Sequence, residues 1–222
     1  MPKIKPSKMN VTSTPKPYAK PTKYEIGQHG AKKQEQKRLT KETGNKVSGD
    51  THQSEHTVGF EPLNRTSGKS RKQNAALENK APAYQEVKDA HRKHIGTGTN
   101  TQKDASGFDS KSYRDTQRKL IGSNDASSAV QINQLGYAFD PKFKTQAATP
   151  AGVAADNSFQ KMVTNMKTVP YAKGNQTVDV PVDAKQKAEM LLARQTAQTG
   201  RFPSVAEENA ARLIVGLNPI KP

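Results

Sequence analysis

The chain has 222 residues, with 36 Lys or Arg against 20 Asp or Glu, a formal net charge of +16 and only 32% hydrophobic residues. It has no cysteine and no tryptophan, which excludes disulfides, thiolate metal sites, a cysteine nucleophile and the Cys-dependent deaminase pattern. No run approaches the ~20 apolar residues of a membrane span, and the basic N-terminus lacks the apolar stretch of a secretory signal peptide.

Residues 1–50 carry half of the net charge and are rich in Lys, Pro, Thr, Gln and Gly. Their apolar residues, including Ile26, Leu39 and Val47, follow neither a helical nor a strand period. Such a segment buries too little apolar surface to offset its ordering entropy. The expectation is a disordered basic leader, with a marginal helix at most over 32–41. Residues 54–63, SEHTVGFEPL, predict two short strands turning near Gly59, followed by a basic loop, NRTSGKSRKQN. From Leu77 or Pro82 to Ile95 the pattern is helical, with Pro82 in the first turn and Gly96 at the stop. Tyr84, Val87, His91 and His94 then fall on one helix face, so both histidines should point toward the core or a cleft in it.

Residues 97–124 are polar, with one helix around 112–120. The rest is the most foldable part. Asp125 can cap a helix through Tyr137, with Val130, Leu135 and Phe139 as core candidates. Thr149 and Pro150 open the next helix, with Phe159, Met162, Val163 and Met166 on its apolar face. VPYAKGNQTVDVPV predicts a hairpin turning at 173–175. Asp183 starts a helix ended by Gly200, and Ser204 with Glu207 forms a capping box before the last one. The expected fold class is α+β. A small ββα hairpin-plus-helix site region within 51–120 precedes a mainly helical half, 121–222, and both belong to one domain behind the leader.

The chemistry concentrates in two stretches. Three of the five histidines lie in QSEHTVGFEPLNR and KDAHRKHIGTG, the first as an adjacent Glu55–His56 pair. Cutting a phosphodiester needs a base for the water, stabilisation of the leaving oxygen and neutralisation of charge on phosphorus. One histidine supplies the first and one divalent metal the other two. A basic chain also attracts polyanions, nucleic acid first, mainly through phosphates. In the loop, Arg65, Lys69, Arg71 and Lys72 are placed to grip the backbone beside the scissile bond.

Over residues 53–98 this arrangement resembles the HNH/endonuclease VII group of ββα-metal nucleases, and more narrowly the nuclease toxins of bacterial polymorphic toxin systems. The resemblance implies a metal-dependent endonuclease acting more on DNA than RNA. Glu55 would bind the metal, His56 would be the general base, His91 a ligand, and His94 a second ligand or a phosphate contact. Asn64 and Asn79 both qualify as the asparagine that often lies between hairpin and helix. The implied cofactor is Mg²⁺, with Mn²⁺, Ni²⁺ or Zn²⁺ as alternatives. The implied partners are a cognate immunity protein and, through the leader, a contractile-injection or type VI-like delivery route, with no membrane partner. The 35-residue interval from His56 to His91 is longer than in compact members of the group.

Blander readings use the same residues. His-x-x-His on a helix is more often incidental than a ligand pair, and a Glu-His dipeptide alone says little. Glu55, His56, His91 and His94 would also suit a closed structural zinc site. The basic leader and loop would suffice for a binding protein without catalysis. His29 and His52 read as bystanders.

Overall fold

The computed structural model describes residues 23–97 and 108–220. In chain order it contains α1 (Lys32–Thr43), β1 (His52–His56), α2 (Phe60–Asn64), α3 (Ala75–Lys80), β2 (Ala83–Val87), α4 (Lys88–Lys93), α5 (Ser110–Gly122) and α6 (Ala126–Leu135). These are followed by α7 (Phe143–Ala147), α8 (Pro150–Asn165), β3 (Thr168–Lys173), β4 (Gln176–Pro181), α9 (Ala184–Thr199) and α10 (Val205–Ile214). The fold class is α+β. There are two antiparallel pairs among the described residues, β1–β2 and β3–β4.

The C-terminal half follows its local signals. Thr149, Asp183 and Ser204 each accept a backbone N–H at the start of their helices, and Asp183–Gln186 and Ser204–Glu207 close complete capping boxes. Asp109 and Asp125 cap α5 and α6 in the same way. The β3–β4 hairpin pairs Thr168 with Pro181 and Lys173 with Gln176. The main core joins Phe159, Met162 and Val163 of α8 to Val130, Tyr84, Val169 and Met190. Leu135 and Phe139 are the exceptions among the expected core residues. Both are about 40% exposed, because α6 gives way at Gly136 to a 3₁₀ turn.

The N-terminal half departs further from expectation. Residues 1–22 of the expected leader lie outside the described residues, but 23–50 belong to the folded domain. Leu39 is fully buried and packs with Val47 and with Ala154 of α8. Glu35, 3% exposed, accepts from Ser158 Oγ at 2.9 Å and from Arg38 Nε at 2.9 Å. So few apolar anchors leave no visible period, yet they suffice once α8 is there to receive them.

The hairpin over 54–63 does not form. After β1 the chain passes Gly59 into α2, with Pro62 inside the helix. The partner strand is β2, in the register His52↔Val87 through His56↔Ala83. The single helix expected from Pro82 to Ile95 is therefore β2 followed by a short α4. Gln85 and Glu86 are both 1% exposed. Gln36 Nε2 donates to the Gln85 side-chain oxygen at 2.9 Å and Arg194 pairs with Glu86 at 2.9 Å. These tertiary partners let a strand carry two buried polar residues, and that masks its pattern. On the other side of β2, His29 N–H donates to Ala81 C=O at 3.0 Å and Ala83 N–H to Gly27 C=O at 2.8 Å. Gly27 has φ +98°, and a Cβ there would lie 3.1 Å from Met162 Cα. The residue that swings His29 onto the sheet therefore needs to be glycine.

Candidate functional site

The end of β1, the first turn of α2, α4 and the 3₁₀ turn at His29 surround a cleft of about 500 Å³. Its lining includes Glu55, His56, His91, His29, Arg71 and Arg114. Glu55 and His56 end β1, which brings two successive residues to one cleft. Glu55 Oε2 is hydrogen-bonded to His91 Nδ1. Its other oxygen, Oε1, accepts from Asn133 Nδ2 at 3.1 Å. The same Asn133 amide reaches Tyr113 Oη at 3.0 Å.

These contacts set the charges. Burial alone would raise the Glu55 carboxyl, but the His91 hydrogen bond and charge, with His94 and Asn133, hold it at about 2. Burial pulls His91 down, and Glu55 outweighs it, so His91 is raised. His56 is lowered by burial, which the Glu55 and Glu78 charges only partly offset. It is 9% exposed, and its Nε2 is buried with no hydrogen-bond partner. Burial, then the charges of His56, Lys32 and Arg71, push His29 down to about 3.

The residues expected from the sequence divide clearly. Glu55, His56 and His91 come together, although on β1 and α4 rather than on a hairpin and a long helix. His94 does not join them as an open ligand. It is 2% exposed, its Nε2 is 2.9 Å from Asn133 C=O, and its Nδ1 accepts the Gly96 N–H at 3.0 Å. Both nitrogens thus bond to backbone, and burial lowers its pKa. The reason is that α4 ends at Lys93, so His94 sits at the cap and turns inward against Tyr113 and Tyr137.

Neither Asn64 nor Asn79 lines the cleft. Asn64 organises its own loop through Lys69 C=O, Ser67 and Asn74. Asn133 on α6 is the asparagine at the site, 78 residues from Glu55, and no local pattern marks it. Of the basic loop residues, Arg71 lines the cleft, while Arg65 and Lys69 lie along an adjoining groove and Lys72 is exposed beyond both. Arg114 of α5 and His29 line the cleft and were not among the expected site residues.

Glu55 Oε2 and His91 Nδ1 are hydrogen-bonded to each other, and Asn133 holds the carboxylate's second oxygen. A divalent cation would have to part that pair, with the Nδ1 proton removed, before both could serve as ligands. A closed four-residue zinc site has no place for His94, since both of its nitrogens are engaged elsewhere.

The family described as Agrobacterium VirD5 protein matches residues 5–217. The chain belongs to that family, and the membership points to a secreted effector. No curated protein and no solved structure matches the chain. Among the described residues no helix is long and apolar enough to cross a membrane.

Proposed function

We propose that this member of the VirD5 family is a secreted effector that hydrolyses phosphodiester bonds in nucleic acid, DNA before RNA, with His56 as general base and Glu55 and His91 as ligands of a divalent metal. One observation carries the reading. The Glu55–His91 contact lies beside His56, whose Nε2 has no hydrogen-bond partner, in a cleft also lined by Arg71 and Arg114. A divalent ion held there would supply Lewis-acid stabilisation of the charge that develops on phosphorus and the leaving oxygen. The chain's own groups supply the rest. His56, kept neutral by burial, takes the proton of the attacking water at Nε2. Asn133 holds Glu55 Oε1 and leaves Oε2 facing His91. Arg71 and Arg114 line the same cleft, and their positive charge would favour a phosphate backbone there. This activity carries with it an immunity protein for the producing cell and delivery by a secretion or contractile-injection route.

A second reading has its own observation. His56 is lowered and His91 is raised, and environments that push two groups apart assign a base and an acid. The two histidines could then work without metal. Incubating plasmid and RNA with the protein in Mg²⁺, with and without EDTA, separates the readings. Cleavage abolished by EDTA is the expected result. Cleavage that survives EDTA favours the histidine pair, and retention of nucleic acid without cleavage contradicts both and leaves a binding protein.

A further inference from the structure

We propose that His29, His56 and Glu78 form a second cation site, suited to zinc, and that filling it takes the nitrogen His56 uses as a base and so switches cleavage off. The switch rests on the nuclease reading; the site does not. One ligating atom from each residue lies within 4.8 Å of the others, the one such group found among the described residues. Both imidazoles present Nε2 to the same carboxylate oxygen. His29 Nε2 is 3.7 Å from Glu78 Oε1 and His56 Nε2 is 4.0 Å from it. Ligands about 2.0–2.2 Å from a tetrahedral ion stand about 3.4 Å apart, so small side-chain rotations close the set.

Two further features point to a ligand. His56 Nε2 has no hydrogen-bond partner, although the residue is only 9% exposed. His29 has its other nitrogen, Nδ1, hydrogen-bonded to Ser54 Oγ at 3.0 Å, the kind of outer-shell contact that fixes a metal-binding imidazole. The rings stack at 4.2 Å with 21° between their planes, so binding one ion would tilt them until their in-plane nitrogens, both already turned toward Glu78, converge. Arg71 now pairs with Glu78, at 2.5 Å from Nη2. Its side chain is 62% exposed, so a cation on Glu78 releases it to solvent or phosphate rather than stranding it. Two imidazoles and one carboxylate leave a fourth position open, a donor set that favours zinc, copper or nickel over magnesium.

The test is calorimetric titration of the full chain with ZnCl₂, comparing wild type with His29→Gln, Glu78→Gln and Glu55→Gln. Zinc should bind the wild type with one component that depends on His29 and Glu78, apart from any ion on Glu55 and His91. His29→Gln and Glu78→Gln should each weaken binding by at least about 10–100-fold, the cost of losing even an outer-shell partner. Glu55→Gln should keep it. Zinc bound equally by both His29→Gln and Glu78→Gln, or lost with Glu55→Gln, overturns the site. Should a variant fail to fold, ring signals in the wild type decide. Zinc should shift those of His29 and His56 and leave His91 in place, and the reverse overturns the site. Cleavage is read separately in Mg²⁺. Added zinc should suppress wild-type cleavage and spare that of His29→Gln, and zinc that binds without suppressing it overturns the switch. If the wild type cuts nothing in Mg²⁺, the nuclease reading and the switch fall together, while the titration still decides the site.

Discussion

Two buried polar clusters flank the β1–β2 pair, and they are completed in different ways. On one side Arg194 of α9 is 4% exposed. Nη1 donates to Glu86 and Gln134 at 2.9 Å, Nε donates to Asp156 at 2.6 Å, and the rings of Tyr84 and Phe159 lie 5.2 Å away. On the other side Glu55 is equally well held by His91 and Asn133, but the residue after it, His56, keeps a buried nitrogen without a partner in the wall of a cleft. Buried polar atoms are normally satisfied, and an exception calls for a reason. The Arg194 cluster turns its charges inward and holds the fold together, and the one buried hydroxyl beside it without a partner, that of Tyr137, lies in the core. An idle atom in the wall of a cleft has capacity left for a ligand.

That contrast is breakable. The largest effect belongs to the Arg194 cluster. Arg194→Leu strands Glu86, 1% exposed, without its cation, and removing one partner of a buried pair costs about 3–5 kcal/mol. Denaturant unfolding should show a loss of that size. A variant as stable as wild type would mean that the cluster does not hold the fold, and the comparison would collapse.

A smaller effect sharpens the contrast by pH. His29, His56 and His94 have lowered pKa values, and His91 is raised. Below the ordinary histidine value of 6.5 the unfolded chain binds protons that the three lowered histidines refuse, so each withdraws stability as pH falls. His91 contributes in the opposite sense. Its stabilisation is present below 6.5 and is lost as pH rises through its raised folded value. Glu55, held at about 2, stays ionised in the folded state and begins to withdraw stability only below the ordinary glutamate value of 4.5. Three against one predicts a lower melting temperature at pH 5 than at pH 7. A flat or rising profile would show that the cleft histidines are not buried neutral.

The sequence showed most where structure is decided locally. Thr149, Asp183 and Ser204 announce helices by what they offer the next backbone N–H groups, and the structure adds only partners. It showed least where a partner arrives from far along the chain. β2 carries buried Gln85 and Glu86 because Gln36 and Arg194 complete their side chains, so its residues mimic a helix pattern. Asn133 reaches Glu55 across 78 residues. His29 sits in what reads as a leader and comes to the cleft through its N–H to Ala81 C=O, the Ala83 N–H to Gly27 C=O and its own bond to Ser54. Glu55 and His91 were legible as a pair from residue chemistry and order. The elements that join them were not, since both the hairpin and the long helix expected there are absent.

The most direct test of the contrast is His56→Ala measured twice on one preparation, by plasmid cleavage in Mg²⁺ and by thermal melting. Loss of a general base reduces the rate by about 10²–10⁴-fold, while removing a ring whose Nε2 makes no hydrogen bond, at the cost of its stacking on His29, should lower stability by clearly less than Arg194→Leu does. Cleavage at the wild-type rate would contradict the account. So would a variant that loses its fold as Arg194→Leu should, because His56 would then belong to the structural cluster.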